Sequence, residues 1–352
     1  MNKILIFTLT LASIFLSIKA KCQNPISETE DIAKIKKSGE IYNKGVNLIS
    51  EKKYQQALIT FSEAITVNSN FDLAYLQRGK VKLQLTDYSG AKDDFNKAIS
   101  INKSLGEAYF CMGYCNLLSD SSKATVDPFN TAIQLGFVDP FVYYYRGVLK
   151  TYKKDNQGAL EDFSIAIERK PDYAFAYYDR GNIKLQTNDF QGAIYDFRQA
   201  LAVDSTLVYA YNNIANAKIH TGDLQGAIQD LTKVIAKDTT SYLAYNNRGS
   251  AKYQNGDYQG AVDDIKTSLR LNKNYSPAYN NLGNSTAKLG DYKTAMDYYN
   301  KAIELDDKYA DAYLNRGLVK ELTGDLDGAC DDWNEADKLG SQDAAKYVKE
   351  CK

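Results

Sequence analysis

Residues 171–204, PDYAFAYYDRGNIKLQTNDFQGAIYDFRQALAVD, hold a glycine at 181, an alanine twelve residues on at 193 and a phenylalanine four further on at 197. The arrangement returns every 34 residues in both directions. The anchor is Gly45, Gly79, Gly113, Gly147, Gly181, Ala215, Gly249, Gly283 and Gly317. The small residue is Ala57, Ala91, Thr125, Ala159, Ala193, Ala227, Ala261, Ala295 and Ala329, and the bulky one is Phe61, Phe95, Phe129, Phe163, Phe197, Leu231, Ile265, Tyr299 and Trp333. A fixed period of this length means that each repeat buries its apolar face only against its neighbours, which is the design of a solenoid.

Within one repeat the residue types follow from close packing. Gly181 and Ala193 sit where two antiparallel helices come nearest, the first predicted over Ala174 to Gln186. Phe197 and the tyrosine four before the anchor (Tyr75, Tyr109, Tyr143, Tyr177, Tyr211, Tyr245, Tyr279, Tyr313) fill the space around that contact. Gly222-Asp223, Gly256-Asp257, Gly290-Asp291 and Gly324-Asp325 mark turns with a glycine suited to a left-handed residue. Apolar residues keep the helical period and no stretch alternates like a strand, so the chain is predicted all-α.

Tyr177, Arg180-Gly181, Phe190, Ala193, Phe197 and Ala200, with Pro171 before them, resemble the tetratricopeptide repeat pattern, recurring nine times over residues 38–343. The resemblance implies a right-handed superhelical solenoid of antiparallel helix pairs whose first helices line a concave face. Departures are local. Pro171 is the only proline at its place, so other helix ends must rely on residues such as Asn70, Asn102 or Asp204. In the third repeat Thr125 replaces alanine and Pro128 falls inside the second helix, which is therefore expected to start late, with Asp127 as N-cap.

The flanks bear on compartment. Lys3 precedes an apolar run from Ile4 to Ile18, and Ile18-Lys19-Ala20 suits cleavage after Ala20, so residues 1–20 read as a secretory signal peptide and the product as exported, periplasmic or extracellular. The run is too short for a comfortable membrane span, and no stable membrane insertion of the mature chain is expected. Lys21 before Cys22 departs from a lipoprotein signal, which speaks against anchoring through Cys22. Residues 21–37 are expected to form a flexible lead, ending in a helical turn from Asp31. Residues 344–352 look like the start of a C-terminal capping helix. Cys351 lies one period after Gly317 and Cys330 on the face that meets the next helix, so the two form either a disulfide or separate buried thiols. Cys111 and Cys115, one turn apart with no histidine near, read as core fillers.

Composition and motifs exclude several functions. Without residues 1–20 the chain has 41 basic against 44 acidic residues and no basic stripe, so nucleic acid is not an expected partner. There is no phosphate-binding glycine loop, zinc spacing or nucleophile elbow, and the single histidine, His220, has no catalytic company; neither enzyme activity, metal nor cofactor is expected. The pairs Asp93-Asp94, Asp263-Asp264 and Asp331-Asp332 are expected to favour the helix dipole and face solvent.

The first helices carry the specific signal. In the resembled family the residues one after, and two and three before, the anchor point into or towards the groove. Here they are Asn212, Asn213 and Asn216, then Asn246 and Asn247, then Asn280, Asn281 and Asn284, with Asn315 and Asn182 extending the row. The six paired asparagines cost about 3 kcal/mol of helix propensity relative to alanine. A carboxamide matches a peptide backbone because it donates and accepts, and the row is similar to the asparagine ladders of peptide-binding tetratricopeptide grooves. Inheritance by repeat duplication is the competing explanation. Phe110, Tyr114, Phe141, Tyr144, Phe175 and Tyr178 add aromatic contact area near the inner face of the earlier repeats. The places of the family's carboxylate clamp hold no lysine. The expected function is a non-enzymatic scaffold binding a protein or peptide in the groove; the alternatives are a glycan or cell-wall polymer on the tyrosine and asparagine lining, or binding on the convex face.

Overall fold

The computed structural model describes residues 28–351; the expected signal peptide and residues 21–27 of the lead lie outside them. The described residues divide into two compact bodies, 28–115 and 116–351, with the boundary inside one helix. The first holds α1 (Glu28–Ser50), α2 (Tyr54–Val67), α3 (Asp72–Gln84), α4 (Tyr88–Ile101) and the start of α5 (Gly106–Ser119). The second continues with α6 (Asp127–Gln134), α7 (Pro140–Tyr152), α8 (Asn156–Arg169), α9 (Ala174–Gln186), α10 (Phe190–Val203), α11 (Val208–His220) and α12 (Leu224–Lys237). It ends with α13 (Tyr242–Gln254), α14 (Tyr258–Leu271), α15 (Ser276–Lys288), α16 (Tyr292–Leu305), α17 (Ala310–Leu322), α18 (Leu326–Lys338) and α19 (Ala344–Val348). No strand occurs among the described residues, and none of their helices is long and apolar enough to cross a membrane. First helices pack on second helices within a repeat, and second helices on the next first helix, as α9, α10 and α11 show.

The anchor column explains itself in atomic distances. A Cβ on Gly181 would lie 2.9 Å from Cε1 of Phe197, and one on Gly283 would lie 2.5 Å from Cε1 of Tyr299, both inside van der Waals contact. The sixth repeat carries the extra methyl of Ala215 opposite Leu231, both fully buried, whereas in the seventh repeat Ile265 is no larger than leucine, yet a Cβ on Gly249 would lie 2.6 Å from its Cγ1. The anchor thus follows the shape of the bulky residue as well as its volume.

In eight of the nine repeats, all but the third, the turn after the first helix holds a left-handed residue seven positions past the anchor. The later repeats supply Gly222, Gly256, Gly290 and Gly324 at φ between 81° and 88°, while the earlier ones use Lys52, Thr86, Lys154 and Asn188 at 59° to 64°. In seven of these the next residue is an aspartate N-cap: Asp87, Asp155, Asp189, Asp223, Asp257, Asp291 and Asp325 each accept from the amide three residues on, while Lys53 in the first repeat makes no side-chain cap. Asn102 and Asp204 end their helices and accept from the amide two residues further on, whereas in the first repeat Asn68, not Asn70, does this.

Three expectations are corrected. The helical turn expected from Asp31 is part of a longer helix: α1 runs from Glu28 without a break, so residues 28–37 are not a flexible lead. The second helix of the third repeat does start late, but Val126 occupies the N-cap and Asp127 is already helical, leaving Pro128 where a missing amide costs nothing. The acidic pairs split: Asp93, Asp263 and Asp331 are exposed, but Asp94, Asp264 and Asp332 are buried.

The buried aspartates anchor the strongest polar contacts. Arg78, Arg146, Arg180, Arg248 and Arg316, each one residue before an anchor, donate in a fork to Asp94, Asp162, Asp196, Asp264 and Asp332 across the helix pair. Their Nη1 reaches back one repeat to Ser62, Asn130, Ser164, Thr232 and Asn300. Lys82, Lys150, Lys184, Lys252 and Lys320 complete the set at 2.8–2.9 Å from the same aspartates. Each arginine thereby staples two neighbouring second helices, with the aspartate's charge matched on both oxygens.

At the carboxyl end Tyr347 of α19 stacks on Trp333, ring centroids 4.9 Å apart, and covers the last apolar face. Cys330 and Cys351 are joined by a disulfide, their Cα atoms 5.6 Å apart. Cys111 and Cys115 are free and buried; burial raises the Cys111 thiol to about 12 and the Cys115 thiol to about 11, which keeps both protonated.

Candidate functional site

In the second body the residues three before each anchor and two before the next anchor, 35 apart in sequence, face one another across adjacent first helices. Tyr144 Oη donates to Asp179 Oδ2 at 2.8 Å. Asn213 Nδ2 donates to Asn182 Oδ1 at 2.9 Å and approaches Tyr178 Oη at 3.4 Å. Asn281 Nδ2 donates to Asn246 Oδ1 at 3.1 Å, and Asn315 Nδ2 to Asn280 Oδ1 at 3.0 Å. These are rungs of a ladder tying successive repeats. One rung is open: Asn212 Oδ1 is buried without a partner, and Asn247 Oδ1 accepts instead from neighbouring Asn246 at 3.3 Å.

The ladder separates two groups that the sequence treats alike. Asn212, Asn246 and Asn280 are buried, so their amides serve the joints between repeats rather than the open face. Their neighbours point about 100° away around the helix: Asn213, Asn247, Asn281 and Asn315 are half-buried, as are Tyr144, Tyr178, Asn182 and Asn284, while Asn216 is exposed. Asn284 is engaged as well, accepting from Tyr299 Oη at 2.8 Å. The propensity cost of the pairs is therefore offset in part by hydrogen bonds between repeats, each worth about 0.5–1.5 kcal/mol net.

Asp179 was not anticipated. It sits two before its anchor, where the other repeats carry Asn43, Gln77, Cys111, Tyr145, Asn213, Asn247, Asn281 and Asn315; it is the single charge in that column, and that is the signal the sequence held. Desolvation lifts its carboxyl to about 6, against the opposing pull of hydrogen bonds from Tyr144 and Asn182. The Tyr144 hydroxyl is held well above its usual range, first by burial and then by the Asp179 charge. His220 is exposed and lies flat on Phe190 at 4.8 Å, outside the ladder. On the second-helix side a cleft of about 660 Å³ is lined by Lys266, Arg270, Lys273, Tyr279 and Tyr298 among others. Among the described residues no cluster of metal-ligating side chains is present.

Tetratricopeptide repeat family profiles match residues 73–105, 152–206, 179–244, 212–276 and 276–309. Together these span more than half of the sequence, and the chain belongs to the tetratricopeptide repeat family. No curated protein matches it. Among solved structures it is similar to the type IV pilus biogenesis factor PilW, at 20% identity and TM-score 0.52 over 59% of this chain and 98% of that one. It is also similar to a tetratricopeptide repeat protein of Parabacteroides merdae, at 17% identity and TM-score 0.52 over 73% and 98% of the two chains. The carboxyl-terminal part of a repeat protein of Cytophaga hutchinsonii aligns at 21% identity and TM-score 0.50, over 67% and 98%. These likenesses carry the fold.

Proposed function

We propose that this chain is an exported, non-enzymatic interaction scaffold that binds an extended polypeptide along the first-helix face of residues 116–352. The observation that carries this reading is the row of half-buried and exposed side chains on that face, Tyr178, Asn182, Asn213, Asn216, Asn247, Asn281 and Asn315, which offers donors and acceptors once per repeat. Packed helices lie about 8–10 Å apart, and an extended chain advances about 3.3 Å per residue. A bound strand would therefore meet a fresh carboxamide at roughly every third residue. Such a ligand needs backbone partners more than side-chain pockets, which suits a row of near-identical amides.

The test uses the two asparagines that make no bond between repeats, Asn216 and Asn247. The partner is recovered by crosslinking in the cells that make the protein and identified by mass spectrometry. Calorimetry then compares the wild type with the Asn216→Ala/Asn247→Ala variant. Binding should weaken by about 1–3 kcal/mol, two hydrogen bonds' worth, with no loss of melting temperature, since alanine is the better helix former. Unchanged affinity, or co-sedimentation with polysaccharide in place of a protein partner, would sink the reading. Export is checked separately, by whether the mature amino terminus begins at Lys21.

A further inference from the structure

The fifth repeat differs from its successors in what it offers a ligand. Asp179 occupies the place of Asn213, Asn247, Asn281 and Asn315, and it is half-buried. Its polar neighbours are neutral: Tyr144 on α7 donates to Oδ2, and the Asn182 amide stands close on its own helix. The Oδ1 of Asn182 accepts from Asn213 of α11. The cations nearest in sequence are committed elsewhere, Arg180 in its fork and Lys184 at 2.8 Å, both on Asp196. Among the described residues Asp179 has no ion-pair partner, whereas the aspartates beside the arginines carry two cations each.

A carboxylate withdrawn from water without a counter-charge is costly, and burial has raised its pKa to about 6. The tyrosine that bonds to it belongs to an aromatic cluster. Tyr144 lies 4.7 Å from Tyr173 and 5.1 Å from Tyr145, and Phe141 packs edge-on to Tyr173 at 5.2 Å. On the other side Tyr178 holds Asn213. The titratable groups of α7, α9 and α11 around Asp179 are thus tyrosines, with no lysine or arginine paired to it. A carboxylate bordered by aromatic faces is complementary to an ammonium or guanidinium group, which gains an ion pair and cation–π contacts at once.

We propose that Asp179, with Tyr144 and Tyr178 beside it, is the subsite for a lysine or arginine side chain of the polypeptide bound along this face. The proposal rests on the peptide reading above and adds one residue of specificity to it. A basic side chain seated in the fifth repeat fixes the register of the strand, which the equivalent amides of the later repeats leave undefined.

Two measurements on the full mature chain separate the subsite from the peptide reading. In the first, the carbon-13 carboxyl signal of Asp179, assigned by its loss in Asp179→Asn, is titrated against pH with Nα-acetyl-lysine N-methylamide or with its uncharged norleucine counterpart. The lysine probe should lower the titration midpoint by about half a pH unit or more, as a bound cation must, and norleucine should leave it unmoved. Equal response to both probes overturns the subsite, whatever peptides do. In the second, an array of short acetylated peptides of glycine, alanine, serine and asparagine, each with one lysine, arginine, glutamate or norleucine, is probed with wild type and Asp179→Asn. Selective capture of the lysine and arginine peptides, reduced about tenfold in the variant, supports the subsite. Capture indifferent to the variable residue overturns it while leaving the peptide reading intact. A response to the lysine probe with no peptide captured overturns both the peptide reading and the polypeptide side chain as the occupant.

Discussion

The fifth and sixth repeats are neighbours of equal length, yet they are held together differently. In the fifth, Arg180 forks onto buried Asp196, reaches back to Ser164, and shares the carboxylate with Lys184. In the sixth, buried Ile214 replaces the arginine, and Asp230, partly exposed, keeps only lysine partners, with Lys218 at 2.6 Å. The fifth places a glycine against Phe197 and the sixth an alanine against Leu231. The fifth closes its rungs on both sides, while the sixth leaves Asn212 Oδ1 unmatched. The same backbone path is thus compatible with a joint of directional charged bonds and with one of apolar contact; the repeat leaves the polar fastening free to vary.

The largest effect expected from this contrast is at the aspartates. Asp196→Asn leaves Arg180 and Lys184 largely buried and unpaired and should cost about 3 kcal/mol. Asp230→Asn, at the more exposed site, should cost about 1 kcal/mol or less. Urea denaturation of the two variants measures both, and equal losses would mean that the arginine fork adds nothing to the joint.

Next is the anchor. Gly181→Ala should lose about 2 kcal/mol by overpacking against Phe197. Adding Phe197→Leu, which recreates the sixth repeat's pairing within the fifth, should recover at least half of that. No recovery would show that Ala215 is tolerated for a reason other than volume.

A smaller change is expected at Asp179. Its pKa is raised in the folded state, so folding favours its protonated form; the stability this provides is present at low pH and lost as pH rises through about 6. Asp179→Asn should therefore be more stable than wild type at pH 7.5, by about 1 kcal/mol after allowing for solvent screening of a half-buried group. The difference should vanish near pH 4. Thermal melts at both pH values check it; a difference independent of pH would deny the carboxylate's desolvation.

The smallest effect is in the turns. Asn188 and Gly222 hold the same left-handed place, at φ 64° and 81°. Asn188→Gly should change stability by no more than a few tenths of a kcal/mol, because asparagine tolerates this region, while Gly222→Ala should lose about 1 kcal/mol. Matching melting curves for all three proteins would remove the conformational argument.

The fold was legible because packing at closest approach leaves few choices: Gly181, Ala193 and Phe197 announce their contact in every repeat. The ion triads were hidden for a geometric reason. Arg180 and Asp196 stand sixteen residues apart on opposite helices, and Asp94 or Asp332, second of an acidic pair early in its helix, looks like a dipole partner until the columns are matched across the hairpin. The groove residues were legible only as a set. Asn212 and Asn213 differ by one residue, hence by a third of a turn, and only the position of the next repeat decides that one is spent in the joint while the other borders the open face.

The disulfide between Cys330 and Cys351 gives the array a polarity. In a quasi-one-dimensional stack, terminal repeats have one neighbour and come loose first. Here the last turn of chain is stitched back to α18, and Tyr347 cannot drift from Trp333 without carrying the crosslink with it. Unravelling from that end is opposed by a covalent clasp that a reductant can open. Reduction would thus lengthen the excursions of the final repeat while leaving the interior rungs untouched, making the carboxyl terminus the place where the redox state of the surroundings is translated into mechanical slack.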